Sequence, residues 1–159
     1  MQDTNKPVLI FTWGNPSRGD DALGTEIYDQ LQQEDLEGVD LLTDFQLQIE
    51  HVVDLEKRER VLFIDASASA TAPFEFYRLN PVQDDSFTTH AMSPESLLAT
   101  YIKVNQAEPP PAFMLSIRGY EFGLGLPMSD EANANLSEAL KFIHLLLCRS
   151  GTEHWTQLA

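Results

Sequence analysis

Near its N-terminus the sequence reads Val8-Leu-Ile-Phe-Thr-Trp13, followed at once by Gly14-Asn-Pro-Ser-Arg-Gly19. The first segment is an apolar run of strand length, which is typical of a strand buried on both faces of a parallel sheet. The second segment consists of turn-forming residues and predicts a loop. Leu23, Ile27 and Leu31 then recur every four residues, as on one face of a helix. The chain therefore begins with a strand, a loop and a helix.

The same kinds of pattern predict the rest of the fold. Four further strands are expected at Val39 to Thr43, Arg60 to Asp65, Phe74 to Leu79 and Ala112 to Ile117. Three further helices are expected at Gln48 to Lys57, from a Ser93 cap to about Val104, and from a Ser129 cap to about Leu147. Because strands alternate with helices, we predict an α/β fold of three αβα layers, with a mostly parallel twisted sheet of about five strands. One domain should span residues 1–159.

Composition excludes several classes of partner and location. The 25 Asp and Glu residues against 10 Lys and Arg give a net charge of −15, which repels phosphate backbones, so we expect no nucleic-acid partner. No apolar run approaches the roughly 20 residues that span a bilayer, and the N-terminus lacks a signal-peptide pattern. We therefore expect a cytoplasmic protein without membrane contact, and a monomer. The single cysteine, Cys148, lies in an apolar stretch and is predicted to be a small core residue.

Polar residues follow the predicted strands where each strand ends. Asp20 and Asp21 come after the first strand, Asp44 ends the second, Asp65 ends the third, and His90 precedes a helix. Ligand sites in open α/β sheets lie at the carboxyl ends of the strands. These side chains are therefore expected to converge on one edge of the sheet.

Such a cluster requires charge compensation. If Asp21, Asp44 and Asp65 lay about 5 Å apart, each pair would repel by roughly 3 kcal/mol at an effective dielectric of about 20. Either one carboxyl group is protonated, with a raised pKa, or a cation neutralises the site. A nearby imidazole favours a borderline ion such as zinc, nickel, iron or manganese over magnesium. Ligand chemistry alone leaves the choice among these ions open.

Each residue also has a simpler structural explanation. One of Asp20 and Asp21 would cap the following helix, and Asp65 would form the turn that ends a buried strand. His90 alone would be an ordinary loop histidine. Only their joint placement at strand ends favours a functional site.

Other types of site have less support. The loop Gly14 to Gly19 has neither a Gly-Lys-Ser/Thr ending nor a G-x-G-x-x-G spacing, so no nucleotide or other organic cofactor is expected. Covalent catalysis is also unsupported, because Cys148 has no evident base and Ser67 lacks a nucleophile-elbow context. His144 lies beside the apolar stripe of the closing helix, which favours a structural role. His51 has no assignable partner.

The segment Gly14-Asn-Pro-Ser-Arg-Gly-Asp-Asp-Ala-Leu-Gly24 resembles the N-terminal signature of hydrogenase maturation proteases. Asp65 at a strand end, His90 before a helix, and a late Leu136-Ser-Glu-Ala-Leu140 segment follow the order and spacing of that family. The segment Asp44-Phe-Gln-Leu-Gln-Ile-Glu-His-Val-Val-Asp-Leu55 further resembles the branch that serves bidirectional, NAD-reducing hydrogenases.

This resemblance implies an endopeptidase that removes the C-terminal extension of the NiFe hydrogenase large-subunit precursor after nickel insertion. Nickel, supplied by the precursor, would be the recognition element. The family's metal-site pattern falls on Asp21, Asp65 and His90, although relatives often carry the longer Glu at the first position. Asp44 is the candidate general base, in a segment that departs from the glycine-rich turn common in the family.

Two alternatives stay open. The protein would instead be a hydrolase with its own tightly bound zinc, or a nickel-binding assembly factor without enzymatic activity. The first would retain stoichiometric metal after purification, and the second would bind the precursor without shortening it.

Overall fold

The structure is a computed structural model that describes residues 5–83, 92–149 and 151–159. The described strands form one five-stranded sheet in the order β2-β1-β3-β5-β4. They are β1 (Val8–Trp13), β2 (Val39–Asp44), β3 (Arg60–Ser67), β4 (Phe74–Arg78) and β5 (Ala112–Arg118). Neighbouring strands are parallel except β4, which is antiparallel to β5. The predicted α/β class and mostly parallel sheet are confirmed.

Helices cover both faces of this sheet. The α-helices are α1 (Leu23–Gln32), α2 (Pro94–Asn105), α3 (Asp130–Leu147) and α4 (Thr152–Leu158), and two 3-10 helices span Gly19–Ala22 and Ile49–Leu55. One buried cluster joins α1, α3 and α4 to the sheet through residues such as Ile10 and Leu62. A second joins α2 and the 3-10 helix Ile49–Leu55 to the opposite face through Phe11 and Phe63. The three-layer prediction is therefore confirmed.

The apolar run of β1 is explained by its central position. β1 pairs with β2 on one side and β3 on the other, and all six of its residues are buried. Because successive side chains of a strand point to opposite faces, Ile10 enters one core and Phe11 the other. A strand in this position has no solvent face that would favour polar residues.

The two predicted serine caps are present. The Ser93 hydroxyl accepts the Ser96 N–H at 3.1 Å, with Pro94 at the first position of α2. The Ser129 hydroxyl accepts the Ala132 N–H at 3.2 Å at the start of α3. Both arrangements satisfy backbone donors that have no partner within the helix.

Three local expectations differ from the structure. The helix predicted over Gln48 to Lys57 is a shorter 3-10 helix, Ile49–Leu55. Helix α4 was not predicted, and it is held by the fully buried Trp155, whose indole N–H donates to the Leu146 carbonyl at 2.9 Å. The prediction of a buried Cys148 is wrong, since this residue is exposed at the end of α3, after the last buried turn.

Within the described ranges, no helix combines the length and the apolar character needed to cross a membrane.

Candidate functional site

The candidate site lies at the carboxyl ends of β1, β2 and β3. Trp13 is opposite Asp44 in the parallel register of β1 and β2, and adjacent parallel residues point to the same face of the sheet. Asp65 is two residues beyond the buried Phe63 on β3 and therefore points to that same face. The side chains of Asp44 and Asp65 therefore point to the same face of the sheet as Trp13, from the strands on either side of it.

Asp65 is the most perturbed carboxyl group of the site. Burial, with the negative charge of Asp21 acting in the same direction, raises the pKa of Asp65 to about 7. Hydrogen bonds from the Ala66 N–H, at 2.8 Å, and from the Trp13 side chain oppose this rise in pKa. Asp65 is therefore a partly buried, desolvated carboxyl group that a proton or a cation would stabilise.

Asp21 is held in place by the loop that precedes it. Its carboxylate oxygen Oδ2 accepts the Asn15 N–H at 2.7 Å. The loop closes so tightly that a Cβ on Gly14 would lie 2.2 Å from the Asp21 carbonyl oxygen, and Gly14 has a φ of +150°. A glycine is required here because no side chain fits between the two segments. The glycine-bearing loop thus positions Asp21.

The neighbouring Asp20 has a structural role that the sequence did not suggest. Its side chain is fully buried and accepts the backbone N–H groups of Tyr120, Glu121 and Ser129 at 2.7, 2.9 and 2.7 Å, and the Ser129 hydroxyl at 2.8 Å. Burial raises the pKa of Asp20, but these hydrogen bonds outweigh it and hold the pKa below its usual value. Asp20 thus ties the first loop to the segment before α3.

The helix-capping explanation for Asp20 and Asp21 is wrong. Helix α1 begins after Ala22 and has no side-chain cap hydrogen bond. The two carboxylates lie in the preceding 3-10 helix, Gly19–Ala22, and their oxygens accept donors from other segments.

Asp44 forms a pair with His51, for which no partner was foreseen. The Asp44 oxygen Oδ2 lies 3.1 Å from His51 Nε2, and Oδ1 accepts the Phe45 N–H at 2.7 Å. The Gln48 N–H donates to His51 Nδ1 at 2.8 Å. The His51 side chain, at the third position of its 3-10 helix, thus caps the backbone N–H of the residue that precedes the helix. Gln48 and His51 are not the Ser/Thr and Glu/Gln pair of the usual capping box, so the sequence pattern did not reveal this cap. No sequence rule reveals that the other ring nitrogen reaches Asp44.

The predicted metal ligands are only partly described. Asp21 and Asp65 are close enough for the charge of one to act on the other, whereas His90 lies outside the described residues. Within the described part of the chain, no group of three or more His, Cys, Asp or Glu side chains is placed to hold a metal ion. Asp44 pairs with His51.

The chemistry of the Asp21 and Asp65 pair fits a divalent cation. Two carboxylates supply oxygen ligands, and a cation would relieve both their repulsion and the cost of burying an ionised Asp65. Two ligands leave coordination positions for a further side chain and for groups of a substrate.

A small cavity adjoins this edge of the sheet. It has a volume of about 280 Å³ and is lined by Gly14, Pro16, Thr25, Thr43, Asp44 and Phe45. A larger groove of about 440 Å³ lies at the opposite end of the strands, near Val8 and Arg60, away from the carboxylates. The smaller cavity is the one placed to receive a substrate side chain beside Asp44.

His144 lies on the outer surface, where its Nε2 is 2.8 Å from a carboxylate oxygen of Glu34. This pair links α3 to the turn after α1, in agreement with the structural role expected for His144.

No protein-family model and no curated protein matches the sequence. Several solved structures are similar to the chain, among them the three that follow. HybD from E. coli, a hydrogenase maturating endopeptidase, has a TM-score of 0.71 at 20% identity, covering 91% of this chain and 93% of that one. HycI from Thermococcus kodakarensis KOD1, a NiFe hydrogenase maturation protease, has a TM-score of 0.69 at 18% identity, with 92% and 96% covered. A hydrogenase 2 maturation peptidase from Thaumarchaeota archaeon SCGC_AB-539-E09 has a TM-score of 0.65 at 22% identity, with 89% and 98% covered. The chain therefore shares the fold of solved hydrogenase maturation proteases.

Proposed function

We propose that the protein is a hydrogenase maturation endopeptidase, which removes the C-terminal extension of the NiFe hydrogenase large-subunit precursor after nickel insertion. The observation that carries the proposal is the partly buried Asp65, whose pKa is raised by desolvation and by the charge of Asp21, at the carboxyl edge of the sheet. The fold supports it as well, since similar solved structures are described as proteases or peptidases of hydrogenase maturation.

Nickel is assigned as the recognition element carried by the precursor. Asp21 and Asp65 would bind it through carboxylate oxygens, and His90 would supply the third ligand. The chain re-enters the described part of the structure at Met92, whose backbone N–H donates to the Leu47 carbonyl, near the second core cluster. Lewis-acid polarisation of the scissile carbonyl is the chemistry that bound nickel supplies.

Asp44 is assigned as the general base. Its side chain is 41% exposed, and each carboxylate oxygen accepts one described hydrogen bond, so further lone pairs are available for a proton. The oxygen of a water molecule would attack the scissile carbonyl carbon while its proton passes to Asp44. That proton would then pass to the leaving amine nitrogen as the peptide bond breaks. The cavity beside Asp44 would hold a substrate side chain next to the cleaved bond.

The resemblance of the segment from Asp44 to Leu55 to the bidirectional, NAD-reducing branch supports that branch as the source of the substrate. It supplies both the Asp44 and His51 pair and an exposed apolar side chain, Phe45, at the mouth of the cavity. We further propose a cytoplasmic location and a monomeric state.

One experiment separates this function from its alternatives. Purified protein is mixed with nickel-loaded and nickel-free large-subunit precursor, and the intact mass of the precursor is measured. The proposal expects shortening of the loaded form alone. Binding without any change of mass would indicate an assembly factor. Cleavage of both forms by a protein that retains stoichiometric zinc would indicate a zinc hydrolase.

The site assignment has its own test. Asp21→Asn and His90→Ala are expected to slow cleavage of the loaded precursor strongly, because each removes one proposed nickel ligand. Cleavage by either variant at the wild-type rate would contradict the assigned site while leaving the protease function intact.

A further inference from the structure

We propose that His51 is a positioning residue that orients the Asp44 carboxylate for catalysis. This inference rests on the proposed function, because it takes Asp44 as the general base. It goes beyond that function by assigning a role to a histidine outside the metal-site pattern. The role follows from three features of the described structure: the tautomer of His51, its packing, and the geometry of Asp44.

The hydrogen bonds of His51 determine its tautomer. Nδ1 accepts the Gln48 backbone N–H at 2.8 Å, so Nδ1 carries no proton in this arrangement. The proton of the neutral ring is therefore on Nε2, which lies 3.1 Å from Asp44 Oδ2. The backbone thus selects the tautomer that donates a hydrogen bond to Asp44.

The imidazole ring is also held in place by packing. The side chain of His51 is only 12% exposed. Its ring packs edge-to-face against the buried Phe11, with centroids 4.6 Å apart and an interplanar angle of 76°. The helix that carries His51 is anchored in the same core by the buried Val52 and Leu55. His51 is therefore a rigid donor rather than a mobile surface histidine.

Asp44 by itself is less constrained than His51. It is the last residue of the edge strand β2, and its side chain is 41% exposed. The Phe45 N–H fixes one carboxylate oxygen, and the His51 Nε2–H fixes the other. Two fixed oxygens define the plane of the carboxylate, and their remaining lone pairs are then oriented relative to the cavity that Asp44 lines. Loss of the His51 contact would leave the carboxylate held by the Phe45 N–H alone, so its orientation would be less well defined.

Two substitutions separate the contacts of His51. His51→Asn places an amide oxygen near the position of Nδ1, so it retains the acceptor for the Gln48 N–H but loses the donor to Asp44. His51→Gln places an amide N–H₂ near the position of Nε2, so it restores the donor to Asp44 but loses the cap. His144→Asn, which alters the outer-surface pair with Glu34, is the matched control.

We expect His51→Asn to lower kcat for precursor cleavage by about 10- to 100-fold with KM within twofold, as for a misoriented catalytic group. His51→Gln should recover most of the wild-type kcat, although it loses the helix cap, and His144→Asn should match the wild type. In an Asp44→Asn background, His51→Asn should lower kcat by less than a further twofold, because both substitutions then act through the same carboxylate. Equal kcat values for His51→Asn and wild type, or a full additional loss in the Asp44→Asn background, would overturn the inference.

An independent measurement does not depend on proteolysis. Nitrogen NMR of the imidazole should show a neutral ring with Nε2 protonated and Nδ1 unprotonated. A ring protonated on Nδ1 would overturn the positioning role even if the precursor is cleaved. Failure of the wild-type protein to cleave nickel-loaded precursor would instead overturn the proposed function, whatever the tautomer of His51.

Discussion

Replacement of Asp65 by Asn is expected to remove a large pH dependence from the stability of the protein. The pKa of Asp65 is raised from 3.8 to about 7, chiefly by burial. The folded protein therefore holds this proton more tightly than the unfolded chain does. Stability from this group is fully present below about pH 4 and is lost as the pH rises through 7.

The size of this effect follows from the shift in pKa. A shift of roughly 3 units corresponds to about 4 kcal/mol, at 1.36 kcal/mol per unit. Asn cannot ionise, and its amide oxygen can still accept the Ala66 N–H that Asp65 Oδ1 accepts. The unfolding free energy of Asp65→Asn, relative to wild type, should therefore rise by about 4 kcal/mol between pH 4 and pH 8.

Urea unfolding measured at several pH values, with a chelator present, checks this expectation. Titrations shared by both proteins cancel in the difference between variant and wild type. Asp29→Asn, which removes an exposed carboxylate from α1, controls for the loss of one negative charge. A difference between Asp65→Asn and wild type that stays constant from pH 4 to pH 8 would refute the reasoning.

Three further outcomes are expected. Asp20→Ala should destabilise the protein by about 3 kcal/mol or more in urea unfolding at pH 7, because it removes four hydrogen bonds to a buried carboxylate; a loss below 1 kcal/mol would argue against the link that Asp20 forms. Gly24→Ala should lower the melting temperature clearly, since its Cβ would lie 2.3 Å from the Trp13 carbonyl oxygen; an unchanged melting temperature would mean that α1 is free to shift. Trp155→Ala should cost about 3–5 kcal/mol of unfolding free energy because the ring is fully buried, and a loss near zero would show that α4 does not contribute to the core.

The central strands β1, β3 and β5 could be predicted from the sequence because their apolar runs are buried on both faces of the sheet. The carboxyl end of each predicted strand lies within two residues of the observed end, as with β3, which continues from Asp65 to Ser67. Helix α4 could not be predicted in the same way. It has seven residues, and a single buried residue, Trp155, gives no periodic pattern.

The candidate site was only partly predictable. The carboxyl-end rule placed Asp21 and Asp65 at one edge of the sheet, and the structure brings them together. The role of Asp20 depends on backbone donors about a hundred residues away, so no local pattern could reveal it. The partner of His51 was likewise hidden, because the contact with Asp44 requires the turn between β2 and its following 3-10 helix.

The most direct test of the central claim is the intact mass of nickel-loaded large-subunit precursor after incubation with wild-type protein and with the Asp21→Asn/Asp65→Asn double variant. Both variant side chains keep their size and lose their charge. The account predicts that wild-type protein shortens the precursor by its C-terminal extension and that the double variant leaves its mass unchanged. Equal shortening by both proteins would contradict the assignment of this carboxylate pair as the nickel-recognising site.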